Sequence, residues 1–248
     1  MLLVKKTMDI LEVFLNGKKE ISVTDLAKIT GYNVATVHGI LNELAKSGYV
    51  QQMEKRGKYS LGLKFLSFGG AANKVAAAVN NIQPLLKELC DQVNESVNVA
   101  IISGNYTVNI AIVYCNQQLR VVPQETLQVP LYCTGIGKLF LSARSDGEID
   151  EYLDSQKLIP FTTKTITDKN KLKRQIKRIR REDVAYDDQE QMYGVRNVAV
   201  PIRDHNGDMT AALGIIGPTI RLSKERMKQL SSIMQGYAQK ISEVIGGR

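Results

Sequence analysis

The sequence predicts an α+β protein in two parts, and three observations carry that expectation. Residues 1–66 hold three short helical segments closed by a basic hairpin, a run of small residues follows, and from residue 83 onward helices and strands alternate. A chain of 248 residues can hold two modest domains, and 44% hydrophobic residues with 23% charged suits well-packed ones.

The apolar residues Val4, Met8, Leu11 and Leu15 fall at i, i+4, i+7 and i+11, which predicts a first helix packed along that stripe and ended by Gly17. Ser22, three residues before Asp25, is a capping signal for a second helix opened by Val23, Leu26 and Ala27 and stopped by Gly31. Asn33 can cap a third helix, in which Val34, Val37, Leu41 and Leu44 recur at helical spacing until Ser47 and Gly48 close it. The second and third helices, joined by the Gly31-Tyr32 turn, have the size and spacing of a helix-turn-helix, whose last helix lies in the DNA major groove.

With that stripe turned inward, the third helix presents Asn33, Thr36, His38, Asn42 and Lys46, donors and acceptors suited to base edges and phosphates. A solvated helix face looks the same, so the following hairpin matters. Residues 49–53 and 58–61 read as strands around Glu54-Lys55-Arg56-Gly57, which puts Lys55, Arg56 and Lys58 at the tip of a wing that can lie along the phosphates. Residues 1–66 carry ten basic and six acidic side chains, so +4 of the chain's +8 sits in about its first quarter.

Gly69-Gly70, followed by Ala71, Ala72 and Ala76 to Ala78, suggests a linker helix over 67–82, and Asn80-Asn81-Ile82-Gln83-Pro84 marks a second boundary. From there 83–248 forms the larger domain. Helices are expected at 85–93, 135–143, 172–180 and 223–245, and strands at 97–102, 107–114, 184–187, 197–203 and 209–216. A hairpin turn at Asp204-His205-Asn206-Gly207 favours a largely antiparallel sheet. In the basic run 169–181 the apolar stripe of Leu172, Ile176 and Ile179 accounts for the period, so a solvated amphipathic helix is preferred to a second nucleic-acid patch.

The charge of +8 favours an acidic partner such as nucleic acid. No run approaches the length of a membrane span and the start lacks a secretion signal's apolar core, so a cytoplasmic protein is expected, with no membrane partner. Cys90, Cys115 and Cys133 have neither disulfide nor zinc spacing, and His38 and His205 are the sole histidines; no metal or other cofactor is expected.

The chain resembles the IclR family of bacterial regulators across both parts. Three stretches carry the resemblance: Gly31-Tyr-Asn-Val-Ala-Thr-Val-His-Gly-Ile-Leu41 with Gly48-Tyr49-Val50; Gly135-Ile-Gly-Lys138; and Tyr186-Asp187 through Gly194-Val-Arg-Asn-Val-Ala-Val-Pro201 to Gly214-Ile-Ile-Gly-Pro218. The resemblance implies a winged helix-turn-helix, a linker helix and a GAF-like effector-binding domain, assembled as homodimers or homotetramers on double-stranded operator DNA, without catalysis. It implies an effector pocket at Gly135, Ile136, Asp187, Asn197, Gly214 and Ile216.

This sequence departs from the family pattern at several of these places. Asn197 stands where cysteine is common, and Gly214 and Ile216 stand where a pair of serines occurs in relatives that bind small carboxylates. Losing two hydroxyl donors argues for a ligand larger or less charged than glyoxylate or pyruvate. Gly39 replaces the usual arginine after the histidine, which shifts the expected DNA contact toward Asn33, Thr36, Lys46 and the wing.

Two other readings stay open. An enzyme would have to use Cys133, Lys138 or His205, but Gly135-Ile-Gly-Lys138 lacks the spacer and following hydroxyl residue of a phosphate loop, Cys133 has no evident activating neighbour, and His205 sits in a polar turn. A sensor or oligomerisation protein with weak or lost DNA binding is the alternative that Gly39 allows.

Overall fold

The helices at the N-terminal end start where the capping residues say they should. Ser22 Oγ accepts the Asp25 N–H at the head of α2 (Val23–Thr30), and Gly31, at φ 73°, ends that helix in the left-handed region glycine tolerates. Asn33 Oδ1 accepts the Thr36 N–H at 2.7 Å and opens α3 (Val34–Lys46). Before them lies α1 (Leu2–Leu15); after them come β1 (Val50–Gln52), β2 (Tyr59–Leu61) and α4 (Lys64–Ala71). The two strands pair antiparallel, and Ile21 exchanges backbone hydrogen bonds with Tyr59 at 2.9 Å each way, tying the segment before α2 to the hairpin.

The computed structural model describes residues 2–15, 20–52, 57–71, 73–122 and 129–246, with only the backbone for 69–71, 73–77 and Gly246. Gly17, Lys55, Arg56 and Ala72 therefore lie outside the described residues. The chain divides into two units, Met1–Ala76 and Ala77–Arg248.

The core of the first unit corrects two expectations. Helix α1 buries Ile10 and Phe14, while Val4, Met8 and Leu15 are more than half exposed. The exposed stripe is displaced by roughly a third of a turn from the buried one, so the helix carries two apolar faces, and of the stripe first picked out only Leu11 packs against the core while the other three face outward. In α3 the core residues are Val37, Ile40 and Leu41, with Leu44 packed beside them, whereas Val34 in the first turn is exposed.

The second unit begins in α5 (Asn73–Val93), which runs unbroken through Pro84. The tract 80–84 is thus no element boundary, and the segment 67–82 divides between the end of α4 and the first part of α5. Pro84 costs the helix a backbone hydrogen bond, about 3 kcal/mol. Its ring is exposed, and burial of Ile82, Leu86, Leu89 and Val93 on the opposite side, each worth about 1.5–3 kcal/mol, outweighs that cost.

A five-stranded sheet, all antiparallel, follows in the order β4-β3-β7-β6-β5, from β3 (Ser96–Ser103), β4 (Tyr106–Val113), β5 (Ala185–Asp188), β6 (Val195–Arg203) and β7 (Met209–Pro218). The β6–β7 turn holds His205 exposed, with Asp204 accepting the Asn206 and Asp208 N–H groups and Gly207 at φ 86°. On one sheet face Val97, Val99, Val198, Val200, Leu213 and Ile215 pack against α5 and the closing helix α9 (Lys224–Gly246).

The other face is built of small residues. Ala100, Ala185, Ala199 and Ala212 let α6 (Gly135–Ser142) lie close on the sheet through Ile136, Leu139 and Phe140. Two elements on this side were not anticipated: a 3-10 turn at Leu131–Cys133 and α7 (Asp146–Ser155), although Ser145 and Glu148 form a complete capping box at its head. Helix α8 (Lys169–Glu182) buries Leu172, Ile176 and Ile179 as its period demanded. Its cations meet the acids of α7 along an antiparallel ladder, Lys169 with Asp154, Lys173 with Asp150, and Lys177 and Arg180 with Asp146.

Candidate functional site

Two sites come from the sequence, one in each unit. In the first unit, the cap at Asn33 spends its Oδ1 on the helix and leaves its amide N–H groups free for other partners. His38 is exposed, and its Nδ1 lies 3.3 Å from Asn42 Nδ2 one turn on. Lys46 donates to Glu43 at 2.6 Å, but both side chains are 72% exposed, so the pair holds the ammonium weakly and it is free to turn toward a phosphate. Thr36 is half-buried.

At Gly39 an added Cβ would meet nothing within 4 Å, so no crowding forces glycine there. Val34, expected in the inward stripe, and Ala35, given no role by the sequence reading, are both exposed; the open first turn of α3, where the cap ends and the core stripe has not begun, is the signal that finds them. In the hairpin Lys58 is exposed beside β2, while Lys55 and Arg56 fall outside the described residues.

In the second unit a cavity of about 170 Å³ opens beside the first turn of α6. Of the six residues expected there, Ile136, Asp187, Asn197 and Ile216 line it. Gly135 and Gly214 do not, and their part is to make room: a Cβ on Gly135 would sit 2.4 Å from Asn197 Oδ1, and one on Gly214 would sit 2.5 Å from Asn98 Oδ1. Sheet register explains the gathering. Asp187, Asn197 and Ile216 are partners across β5, β6 and β7, and Gly214 faces Asn98 across β7 and β3.

The structure adds wall residues that the sequence left unmarked. Asn98, Thr107, Asn109, Thr134 and Gln191 supply polar groups, and Val121, Val122, Val129, Met192 and Val195 supply apolar ones. Asn98 Nδ2 donates to Asn109 Oδ1 at 2.7 Å and Asn197 Nδ2 to the Ile215 carbonyl at 3.1 Å. The amide oxygens of both, buried, have no hydrogen-bond partner among the described residues.

Beneath this wall lies a buried charge cluster. Lys138, with 0% exposure, donates to Glu190 at 2.5 Å and to the Tyr186 carbonyl at 2.8 Å. Asp187 Oδ1 accepts the Glu190 N–H at 2.7 Å. Burial pushes the Asp187 carboxyl up to about 7, against the pull of Lys138. Its neighbour Asp188, pointing the other way along the strand, is held well below the usual range; hydrogen bonds from Arg196 and Lys224 overcome the effect of burial. Cys133, which donates to the Pro130 carbonyl, is pushed up to about 12, chiefly by burial.

Comparison with known proteins matches both units. Residues 72–243 fit the family model described as the C-terminal part of bacterial transcriptional regulator IclR, and residues 3–54 fit the IclR helix-turn-helix domain. The Escherichia coli regulator KdgR is 30% identical over 243 residues, covering 98% of this chain and 92% of its own length. The Salmonella typhimurium acetate operon repressor is 26% identical over 242 residues, 97% of this chain and 88% of its own. Among solved structures, Thermotoga maritima IclR superposes with a TM-score of 0.73 at 28% identity, covering 98% of each chain. An IclR homologue from Microbacterium hydrocarbonoxydans, complexed with 4-hydroxybenzoate, shares the fold with a TM-score of 0.85 at 17% identity, again over 98% of each.

Proposed function

The chain belongs to the IclR family of bacterial DNA-binding transcriptional regulators, and from that premise we propose that it is a repressor whose grip on a near-palindromic operator is set by a small metabolite held in the α6 cavity. The observation that carries this reading is the pairing of a capped, solvent-facing α3 with a walled cavity beneath a separate sheet. Asn33, Thr36, His38, Asn42 and Lys46 are the proposed base and phosphate contacts, with Lys55, Arg56 and Lys58 along the backbone. Val34 and Ala35 join them as apolar partners for a thymine methyl.

The proposed effector residues are Ile136, Asp187, Asn197 and Ile216 as wall, with Gly135 and Gly214 as spacers. The 4-hydroxybenzoate carried by the Microbacterium homologue supports a small organic ligand in this fold. The chain acts in the cytoplasm on this reading, and no described helix is long and apolar enough to cross a membrane. A non-catalytic role accords with Cys133, whose buried thiol is pushed away from the thiolate form that chemistry needs.

The test is selection of bound sequences from random duplex DNA, followed by the salt dependence of the winner's affinity. A palindrome is expected, with affinity falling steeply with salt and reduced by Lys46→Ala. Failure to enrich any sequence, with or without a pool of metabolites, would favour the sensor reading in which DNA binding has been lost.

A further inference from the structure

Helix α3 carries a linked polar pair on its outer side. At about 100° per residue, Asn42 and Lys46 lie opposite the buried Val37, Ile40 and Leu41. His38, exposed one turn before Asn42, sets its ring nitrogen Nδ1 3.3 Å from Asn42 Nδ2. An amide nitrogen only donates, so Nδ1 is the acceptor and the neutral ring carries its proton on Nε2. Asn42 thus spends one of its two N–H groups on His38. No hydrogen bond among the described residues takes its Oδ1 or its second N–H. At Gly39, three residues earlier, an added Cβ would meet nothing within 4 Å, so no side chain there stands between the amide and a base edge.

Resting on the reading of α3 as the helix that enters the major groove, we infer that Asn42 reads an adenine in each operator half-site and that His38 positions its amide for that contact. The match is one of donor and acceptor order. Adenine shows the N6 amino donor beside the N7 acceptor on its major-groove edge, and the oxygen and remaining N–H of one amide pair with both. Guanine shows two acceptors there, so the amide oxygen would face an acceptor. Cytosine offers one donor and thymine one acceptor, which leaves half of the amide unused. His38 fixes which end of the amide donates: its acceptor holds Nδ2, whereas a free amide turns about its last bond and presents the reversed order as readily. The Nε2–H of the same ring is a single donor, suited to guanine O6 or N7 or to thymine O4 on a neighbouring base pair. Lys46, one turn beyond Asn42 and only weakly held by Glu43, reaches for phosphate and adds affinity without choosing a base.

The experiment is selection of bound sequences from random duplex DNA by the full chain, repeated with Asn42→Ala, Asn42→Asp, His38→Leu and His38→Gln, followed by affinities for the parent's winning site. The parent is expected to recover adenine at one symmetric position of each half-site. Asn42→Ala erases the preference at that position alone and weakens the site by at least about tenfold. Asn42→Asp, which only accepts, moves the preference there to cytosine, whose N4 amino group donates; a structural role for Asn42 gives no such change of base. Adenine replaced by 7-deaza-adenine, which lacks the N7 acceptor, weakens the parent about tenfold and the Asn42→Ala protein not at all. His38→Leu lowers the adenine preference about fivefold, and His38→Gln, whose amide oxygen can take the same N–H, restores it. A palindrome identical for the parent and Asn42→Ala overturns the inference and leaves the DNA-binding reading intact, as does control by Asn42 of a base other than adenine. An adenine preference that His38→Leu leaves unchanged overturns the role given to His38. Recovery of no palindrome by the parent overturns the DNA-binding reading, and the inference with it.

Discussion

Asp187 and Asp188 are adjacent in the chain and opposite in character, because successive strand residues face opposite sides of the sheet. Asp188 meets Arg196, Lys164 and Lys224, while Asp187 faces the cavity and the buried Lys138–Glu190 pair. The raised Asp187 carboxyl has a consequence for stability. The native state binds this proton more tightly than the unfolded chain, from an ordinary 3.8 up to about 7, so stability falls as pH rises through that window and levels off above it. Asp187→Asn keeps an acceptor for the Glu190 N–H and removes the titration. The variant is expected to melt higher than the parent at pH 8, with the margin shrinking toward pH 5; a margin independent of pH would show that the carboxyl is not strained. None of this is visible in the dipeptide Asp187-Asp188, since burial and partners, which residue type does not reveal, set the two values apart.

Helices α7 and α8 show how a charge run reads differently once its neighbour is known. In isolation 169–181 invites a nucleic-acid role, yet its lysines meet Asp146, Asp150 and Asp154, spaced at i, i+4 and i+8 on α7. These are exposed pairs of little individual worth. The apolar stripe holds the helix, so Ile176→Ala is expected to cost about 2–5 kcal/mol in a urea melt, while Lys173→Ala barely moves the midpoint. A reversed order of effects would mean that the ladder holds the helix. The apolar period of α8 was legible in sequence and so were the caps of α2 and α3. Helix α7 was missed because its five acids and its apolar residues Ile149, Tyr152 and Leu153 give a weak stripe, although the capping box Ser145/Glu148 was there to be read. The stripe chosen on α1 was legible but ambiguous, since two apolar faces give two valid periods and only packing tells which is inside.

The outer face of α1 bears on assembly. Val4, Met8 and Leu15 are exposed at 62%, 53% and 54%, a continuous apolar stripe on a unit whose core is already complete without it. Two recognition helices bound to half-sites about one turn of DNA apart require a pair of such units. The full chain is therefore expected to sediment as a dimer or tetramer, and Met8→Glu to weaken both self-association and operator affinity while leaving the melting of the larger unit unchanged. Unaltered sedimentation would assign the pairing to other surfaces. The sequence by itself determined the two-part plan, the helix-turn-helix with its caps, the order of the sheet-forming segments and the family. Those depend on local spacing and turn chemistry, which are written along the chain. The tertiary structure alone decided which face of α1 is buried, that α5 survives Pro84, and that Asn98 joins Asp187, Asn197 and Ile216 at one cavity. Positions more than a hundred residues apart meet there through strand register, and register is set by how the whole sheet packs rather than by any segment of it.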